Sequence, residues 1–230
     1  MPTPPPTIHA YALTTLERVK TRLEITTTSW DTFLERLINS VTDYIEGQCG
    51  LARGHHFVTT EYFNEIYSVM TGRQTYLILR AAPVTVLTKF EYRAGTVTNP
   101  AWTSFIPDQF ELKNPQPTPN DTDGTKMWWP SGIVRVYGVL PRLMDNMLRV
   151  TYTAGYAVDW SNEADSTKHF LPADISELAD DLVVRWYKRR ELAGQTGQTL
   201  EGQTVTGWRN ELDKDDLDTI TRNKRVQFYG

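Results

Sequence analysis

The stretch LPADISELADDLVVRWYKRRELAG, Leu171–Gly194, decides how the rest of the chain is read. Pro172 stands where a first helical turn tolerates a missing amide, and Ile175, Leu178, Ala179, Leu182, Val183 and Trp186 then recur at three- and four-residue steps. The spacing predicts one long amphipathic helix with a continuous apolar stripe, stopped by Gly194. Asp174, Glu177, Asp180 and Asp181 fill its first half, and Arg185, Lys188, Arg189 and Arg190 its second. That order complements a helix macrodipole. Such a stripe needs another apolar surface to cover it.

Two candidate surfaces stand at the opposite end of the chain. Thr14 followed by Glu17 fits a capping box, and Leu16, Val19 and Leu23 give one face to a short helix ending near Glu24. Ser29 or Asp31 can cap a second helix, in which Phe33, Leu34, Leu37, Ile38, Val41, Tyr44 and Ile45 keep the helical period as far as Gly47 and Gly50. The expected bundle core is therefore Leu16, Val19, Leu23, Phe33, Leu37, Ile38, Val41, Ile45, Ile175, Leu178, Leu182 and Trp186.

Between these helices the period changes. Phe57–Tyr62, Ile66–Val69, Tyr76–Leu79, Val84–Tyr92, Ile133–Tyr137 and Leu148–Tyr152 are rich in β-branched and aromatic residues and read as strands. Thr71-Gly72 and Ala94-Gly95 look like hairpin turns, and Pro83 suits a strand start. Residues 113–126, with three prolines among Asn, Asp, Thr and Gly, read as an exposed loop. Gly155 ends the last strand, and a polar connection over 159–168 leads back to helix.

The ends are different in kind. Four prolines in Met1–Thr7 exclude helix and give a flexible or extended arm. After Gly194 the sequence GQTGQTLEGQTVTG has too little apolar surface to pack by itself and reads as a linker or arm. Leu212, Leu217 and Ile220 then mark a weak final helix, followed by Arg222, Lys224, Arg225 and the aromatic pair Phe228-Tyr229. The expected fold is α+β. An arm covers 1–12, a helical bundle 13–56 and 169–194, an antiparallel β insertion 57–156, and a C-terminal arm 195–230.

At 230 residues the chain can bury a sizeable core, and no apolar run approaches a membrane span. MPTPPPTIHA has no basic region followed by an apolar one, so no signal peptide is expected. Cys49 alone excludes an internal disulfide, and a net charge of -4 excludes a general attraction to nucleic acid.

Catalytic signatures are missing: there is no GxSxG elbow, no phosphate loop and no dinucleotide turn. His9, His55, His56 and His169 have no metal spacing, and the His55-His56 pair reads as surface or loop. Cys49 reads as an inert, half-buried thiol, and Asp180-Asp181 as a solvated helix face. Trp128-Trp129-Pro130 reads as a packing or interface anchor rather than a ring-stacking platform. No enzyme, metal or cofactor is expected. The basic run Arg185–Arg190 leaves a DNA-binding module as the alternative, although cations in the last turns of a helix are expected from the dipole alone.

Taken in order, LTTLERVKTRLEI, SWDTFLERLINSVTDYIEGQCG, RAAPVTVLTKFEYRAG, LRVTYTAGY and LPADISELADDLVVRWYKRRE resemble the head–tail connector (adaptor, head-completion) proteins of tailed bacteriophages. Asp31, Leu34, Leu37 and Ile38 match the family's D-x-x-L-x-x-L-I pattern, and Pro83-Val84 its Pro-Val strand. Val150, Tyr152, Ala154, Gly155 and Tyr156 match its V-x-Y-x-A-G-Y segment, and Pro172–Glu191 its closing helix. The resemblance spans about Leu13–Ala193.

It implies a non-catalytic virion neck component, made in the host cytoplasm and assembled as a dodecameric ring beneath the portal. The implied partners are the portal protein, a downstream neck or tail protein (stopper or tail terminator) and other copies of the chain. DNA would pass through the lumen without sequence-specific binding, and no membrane is involved. By the same resemblance the portal-docking arm is carried by Leu212, Leu217, Ile220, Arg222, Lys224, Arg225, Phe228 and Tyr229.

Overall fold

The computed structural model of the chain describes residues 7–68, 76–95, 98–113, 132–137, 147–162, 170–191, 199–200, 203–204 and 212–224. The Thr71-Gly72 turn, the prolines of the 113–126 loop, Trp128-Trp129-Pro130, His169, Gly194, Arg225, Phe228 and Tyr229 lie outside these residues, as does the arm before residue 7. The described residues fall into two compact units, one from 7–50 with 171–224 and the other within 51–170. The α+β class is as expected. Among the described residues there are four α-helices, the three of the expected bundle and the weak final one: α1 Leu16–Leu23, α2 Asp31–Gln48, α3 Ala173–Glu191 and α4 Lys214–Asn223.

In the helical unit α3 touches each of the other three helices. That is why its burial exceeds a single stripe: Ser176 and Asp180 are buried together with Ile175, Leu178, Ala179, Leu182, Val183 and Tyr187. The first helix is capped one residue later than expected. Thr15 Oγ1 accepts from Arg18 N at 3.3 Å, while Thr14 is turned inward. At α2 neither Ser29 nor Asp31 caps. Trp30 holds the N-cap position without a side-chain capping bond, and Asp31, already the first helical residue, receives Lys20 Nζ at 2.7 Å. Pro172 precedes α3, where its carbonyl accepts from Ile175 N at 3.0 Å.

The other unit is a two-layer sandwich. Its larger sheet runs β1 (Thr60–Ser68), β7 (Met147–Ala154), β3 (Val84–Gly95), β4 (Pro100–Ser104), and its smaller sheet β2 (Tyr76–Ile78), β6 (Ile133–Val136), β5 (Phe110–Lys113). All pairings are antiparallel. The inner faces share one core that includes Tyr67, Leu77, Phe90, Val134, Leu148, Val150 and Tyr152.

Three features differ from the sequence expectation. Residues 60–62 and 66–68, expected in two separate strands, are parts of one strand, bent where Phe63 and Asn64 together oppose Thr151; Asn64 takes φ 53° and donates its N–H to Thr151 Oγ1 at 3.1 Å. Ala94 and Gly95 are not a turn, since they pair with Ala101 and Pro100 in the β3–β4 ladder. Strands β4 and β5 were not expected, because a five-residue strand opening on proline and a four-residue FELK carry too little alternation to register. Pro100 begins the edge strand β4, where no ladder donor is lost.

Gly155, the glycine of the V-x-Y-x-A-G-Y segment, has a physical requirement. At φ +111° a Cβ there would stand 2.6 Å from the Val58 carbonyl carbon and 2.8 Å from Phe57 O. The close approach lets Tyr156 N donate to Phe57 O at 2.7 Å and Gly155 N to Pro83 O at 2.8 Å, tying the end of β7 to the segments that lead into β1 and β3.

In the region read as a linker, the described residues include a two-residue pairing, β8 (Thr199–Leu200) with β9 (Gln203–Thr204).

Candidate functional site

The most heavily built polar site joins α1 to α3. Asp180, read from sequence as part of a solvated face, is fully buried. Its Oδ1 accepts the Thr14 hydroxyl, and its Oδ2 accepts Arg18 Nε at 3.0 Å and Nη2 at 2.7 Å, with Arg22 Nε 3.5 Å away. Arg18 Nη2 also reaches Glu177 Oε1 at 3.1 Å, and Arg22 closes on both Glu177 and Asp181. Burial would lower the Arg22 pKa, but the Glu177 hydrogen bond and the charges of Asp180, Glu177 and Asp181 hold it above the ordinary range. Two cations four residues apart on α1 thus meet three carboxylates within one turn and a half of α3. The matching spacings are visible in the sequence once the two helices are placed side by side. A buried charge that is fully hydrogen-bonded fixes how helices pair more than it stabilises them.

The apolar stripe is placed much as its period suggests. Val19, Ile38, Val41, Ile45, Ile175, Leu178 and Leu182 are buried, whereas Leu16, Leu23, Phe33, Leu37 and Trp186 are half-buried. The deepest aromatic at the end of α3 is Tyr187, which the stripe omitted. Its ring stands 6.3 Å from Trp30 and 6.2 Å from Phe33, while Trp186 lies on Tyr44 at 5.7 Å. Cys49 is fully rather than half buried, with Sγ 3.9 Å from Ile220 O.

That last contact belongs to α4, which the arm expectation did not foresee as part of the bundle. Asp213 and Asp216 form a reciprocal capping box, with N–H donation to carboxylate at 2.8 and 3.0 Å. Asp216 also accepts Arg185 Nη2 at 2.8 Å, and at the far end Asn223 Nδ2 donates to Asp174 at 3.1 Å. Residue 216 beside 185 and residue 223 beside 174 set α4 antiparallel to α3. The hydrogen bond to Asp216, ahead of the cost of burial, raises the Arg185 pKa.

Of the proposed docking residues, Ile220 is buried as the anchor of α4. Leu212 is half-buried, and Leu217, Arg222 and Lys224 face outward. The basic run loses Arg185 to Asp216, leaving Lys188 and Arg189 exposed.

In the β unit, His55 lies in the loop before β1, one of the two places expected for it, but is buried there. Its Nε2 is 2.6 Å from Glu65 Oε1 and its ring stacks on Tyr62 at 4.9 Å. Glu65 Oε2 accepts the hydroxyls of Tyr67 at 2.6 Å and Tyr152 at 2.8 Å, and those oxygens accept Arg80 N at 3.1 Å and Ala81 N at 3.2 Å. Burial alone would raise the Glu65 pKa, yet the bonds from His55, Tyr67 and Tyr152 hold it below the ordinary carboxylate range. Burial first, then the Glu65 charge for Tyr67, and the Tyr67 phenol and the Glu65 charge for Tyr152, push both tyrosines well above the ordinary phenol range. Each member of this group has its hydrogen-bonding capacity taken up by its neighbours, the arrangement of a structural network.

Among the described residues, no group of three His, Cys, Asp or Glu side chains is placed to hold a metal ion, and no helix is long and apolar enough to cross a membrane.

Fold and site together define an α+β protein, a helical bundle interrupted by a β sandwich, whose buried charges fasten one helix to another. The model of the head completion protein family matches residues 12–212, and the chain belongs to that family. The connector resemblance drawn from the order of sequence motifs is met at this level.

The fold is similar to a chain in the neck of an empty gene transfer agent particle computed with C6 symmetry, at TM-score 0.57 and 16% identity, covering 93% of this chain and 90% of that one. It is also similar to a chain in the virion of a native gene transfer agent particle, at TM-score 0.51 and 16% identity, covering 89% and 82%. No curated protein sequence matches it.

Proposed function

We propose that the chain forms a ring in the neck of a phage-type virion, joining the portal to the next neck or tail protein and lining the channel through which DNA passes. The observation that carries this reading is the family match over 12–212, which takes in both halves of the bundle and the inserted sandwich. Its support from fold is the similarity to a chain of a neck with six-fold symmetry, compatible with a dodecameric ring. A net charge of -4 also suits the wall of a channel, since a cation-lined lumen would hold the phosphate backbone by counterion release.

Within this reading α4 serves as the base of the portal-docking end. Ile220 and the Arg185–Asp216 pair hold it on the bundle, while Leu217, Arg222 and Lys224 face outward ahead of Arg225, Phe228 and Tyr229. The role is structural, without turnover or cofactor, and the protein is made in the host cytoplasm before it joins the particle.

The test is co-sedimentation of the purified chain with portal-bearing particles, with light scattering on the free chain. Saturable binding at a fixed ratio of chain to portal is expected. Failure to bind portal at any ratio, with retention of a labelled duplex at low salt, would replace this reading by the DNA-binding one.

A further inference from the structure

Helix α4 sits on the bundle in a seat that reads charge and direction. Only Asp216 and Ile220 of the helix are buried, so little apolar surface holds it. At one end Arg185 takes Asp216 at 2.8 Å and Asp213 at 3.6 Å. At the other, Asp174 takes Asn223 at 3.1 Å and Arg222 at 3.7 Å. The Ile220 carbonyl stands 3.9 Å from Cys49 Sγ at the end of α2. A helix entered backwards would set Arg222 against Arg185 and Asp213 against Asp174, so the seat accepts α4 in one direction only.

The connection into α4 is longer than this seat requires. α3 ends at Glu191, roughly 9 Å beyond Arg185 along the helix axis, and α4 begins beside Arg185. Antiparallel neighbours in a bundle are ordinarily joined by about 2–8 residues. Here residues 192–213 stand between the two helices, of which the β8–β9 pairing folds back only 199–204. A polar, glycine-rich chain of that length has a root-mean-square span of about 25 Å and a contour of about 70 Å. Such a span reaches a neighbouring bundle, since a small domain is about 30 Å across.

We infer that in the assembled ring α4 of each copy leaves its own seat and fills that of the next copy, so that the subunits are joined by exchanged helices. The occupant is a second copy because the seat demands the charge order of α4, acidic at its start and basic at its end, and every copy carries that helix by identity. Exchange around a closed ring leaves no seat empty and no helix unseated. It changes which chain supplies α4 and not what α4 touches, which is why exchanging an identical element costs little. The inference rests on the proposed ring.

The test uses the full chain carrying Asp174→Cys, Asn223→Cys or both, treated with a short bis-maleimide; the Arg185–Asp216 pair stays in place and the native Cys49 is fully buried. On portal-bearing particles the double variant is expected to give a ladder of multimers, and an equimolar mixture of the two single variants dimers and nothing larger. Links only within single chains, with no dimers from the mixture, overturn the inference while portal binding keeps the neck reading. A double variant that also lacks residues 195–206 can seat α4 only at home, and should link within single chains; a ladder from it overturns the inference as well. A chain that never binds portal removes the neck reading. The exchange is then decided by the same mixture concentrated in free solution, where dimers support it and their absence overturns it.

Discussion

Arg18 on α1 holds the buried carboxylate of Asp180 on α3 through two nitrogens, at 3.0 and 2.7 Å, across 162 residues of sequence. The sandwich is inserted between these partners, so the pair closes the bundle around the insertion.

Removing the cation should cost more than removing the anion. Arg18→Ala leaves the buried Asp180 with only the Thr14 hydroxyl and Arg22, 3.5 Å away, as partners, an expected loss of about 3 kcal/mol. Asp180→Ala leaves Arg18 with 22% of its side chain already in solvent, so a smaller loss, about 2 kcal/mol, is expected. Urea unfolding of the two variants reads the difference, and equal losses would show that the carboxylate is not stranded.

Tyr187→Ala should destabilise the helical unit by about 3 kcal/mol or more, because a buried aromatic beside Trp30 and Phe33 leaves a cavity. Trp186→Ala, at a half-buried ring, should cost about 1 to 2 kcal/mol. Thermal melts that rank them in the reverse order would contradict this placement of the core.

The sandwich should lose stability at both ends of the pH scale. Glu65 has a folded pKa below its unfolded value of about 4.3, so its contribution is present above that pH and lost as pH falls through the folded pKa. Tyr67 and Tyr152 have folded pKa values above their unfolded value of about 10, so their contribution is intact below pH ~10 and declines above it, by about 1.4 kcal/mol per pH unit for each. Near-ultraviolet circular dichroism of melts against pH measures both limbs. Tyr152→Phe should make the alkaline limb shallower, and an unchanged slope would remove Tyr152 from it.

Asp216→Ala should release α4 while the rest of the bundle stays folded, because that one carboxylate caps the helix and binds Arg185. Amide exchange over 214–223 should quicken on the order of tenfold or more, with little change in α2. Equal quickening in both helices would mean that α4 is integral to the bundle's cooperative fold.

The stripe of α3 is legible because Ile175, Leu178 and Leu182 lie on one period and need no knowledge of their partners. Asp180 is not, since a carboxylate one step off that stripe is solvated or buried according to whether cations lie opposite, and its cations are on α1. Tyr187 and His55 fail for a related reason. An amphipathic ring reads equally well as surface or core until its hydroxyl or nitrogen finds a partner, here Glu65 for His55. The sheet order β2, β6, β5 is hidden because its pairings join short strands far apart in the chain.

Electron cryomicroscopy of the chain bound to its portal tests the ring directly. Rotationally repeated copies coaxial with the portal, with an open central channel, are expected. A single copy on the flank of the portal, or a closed plug across the channel, would contradict it.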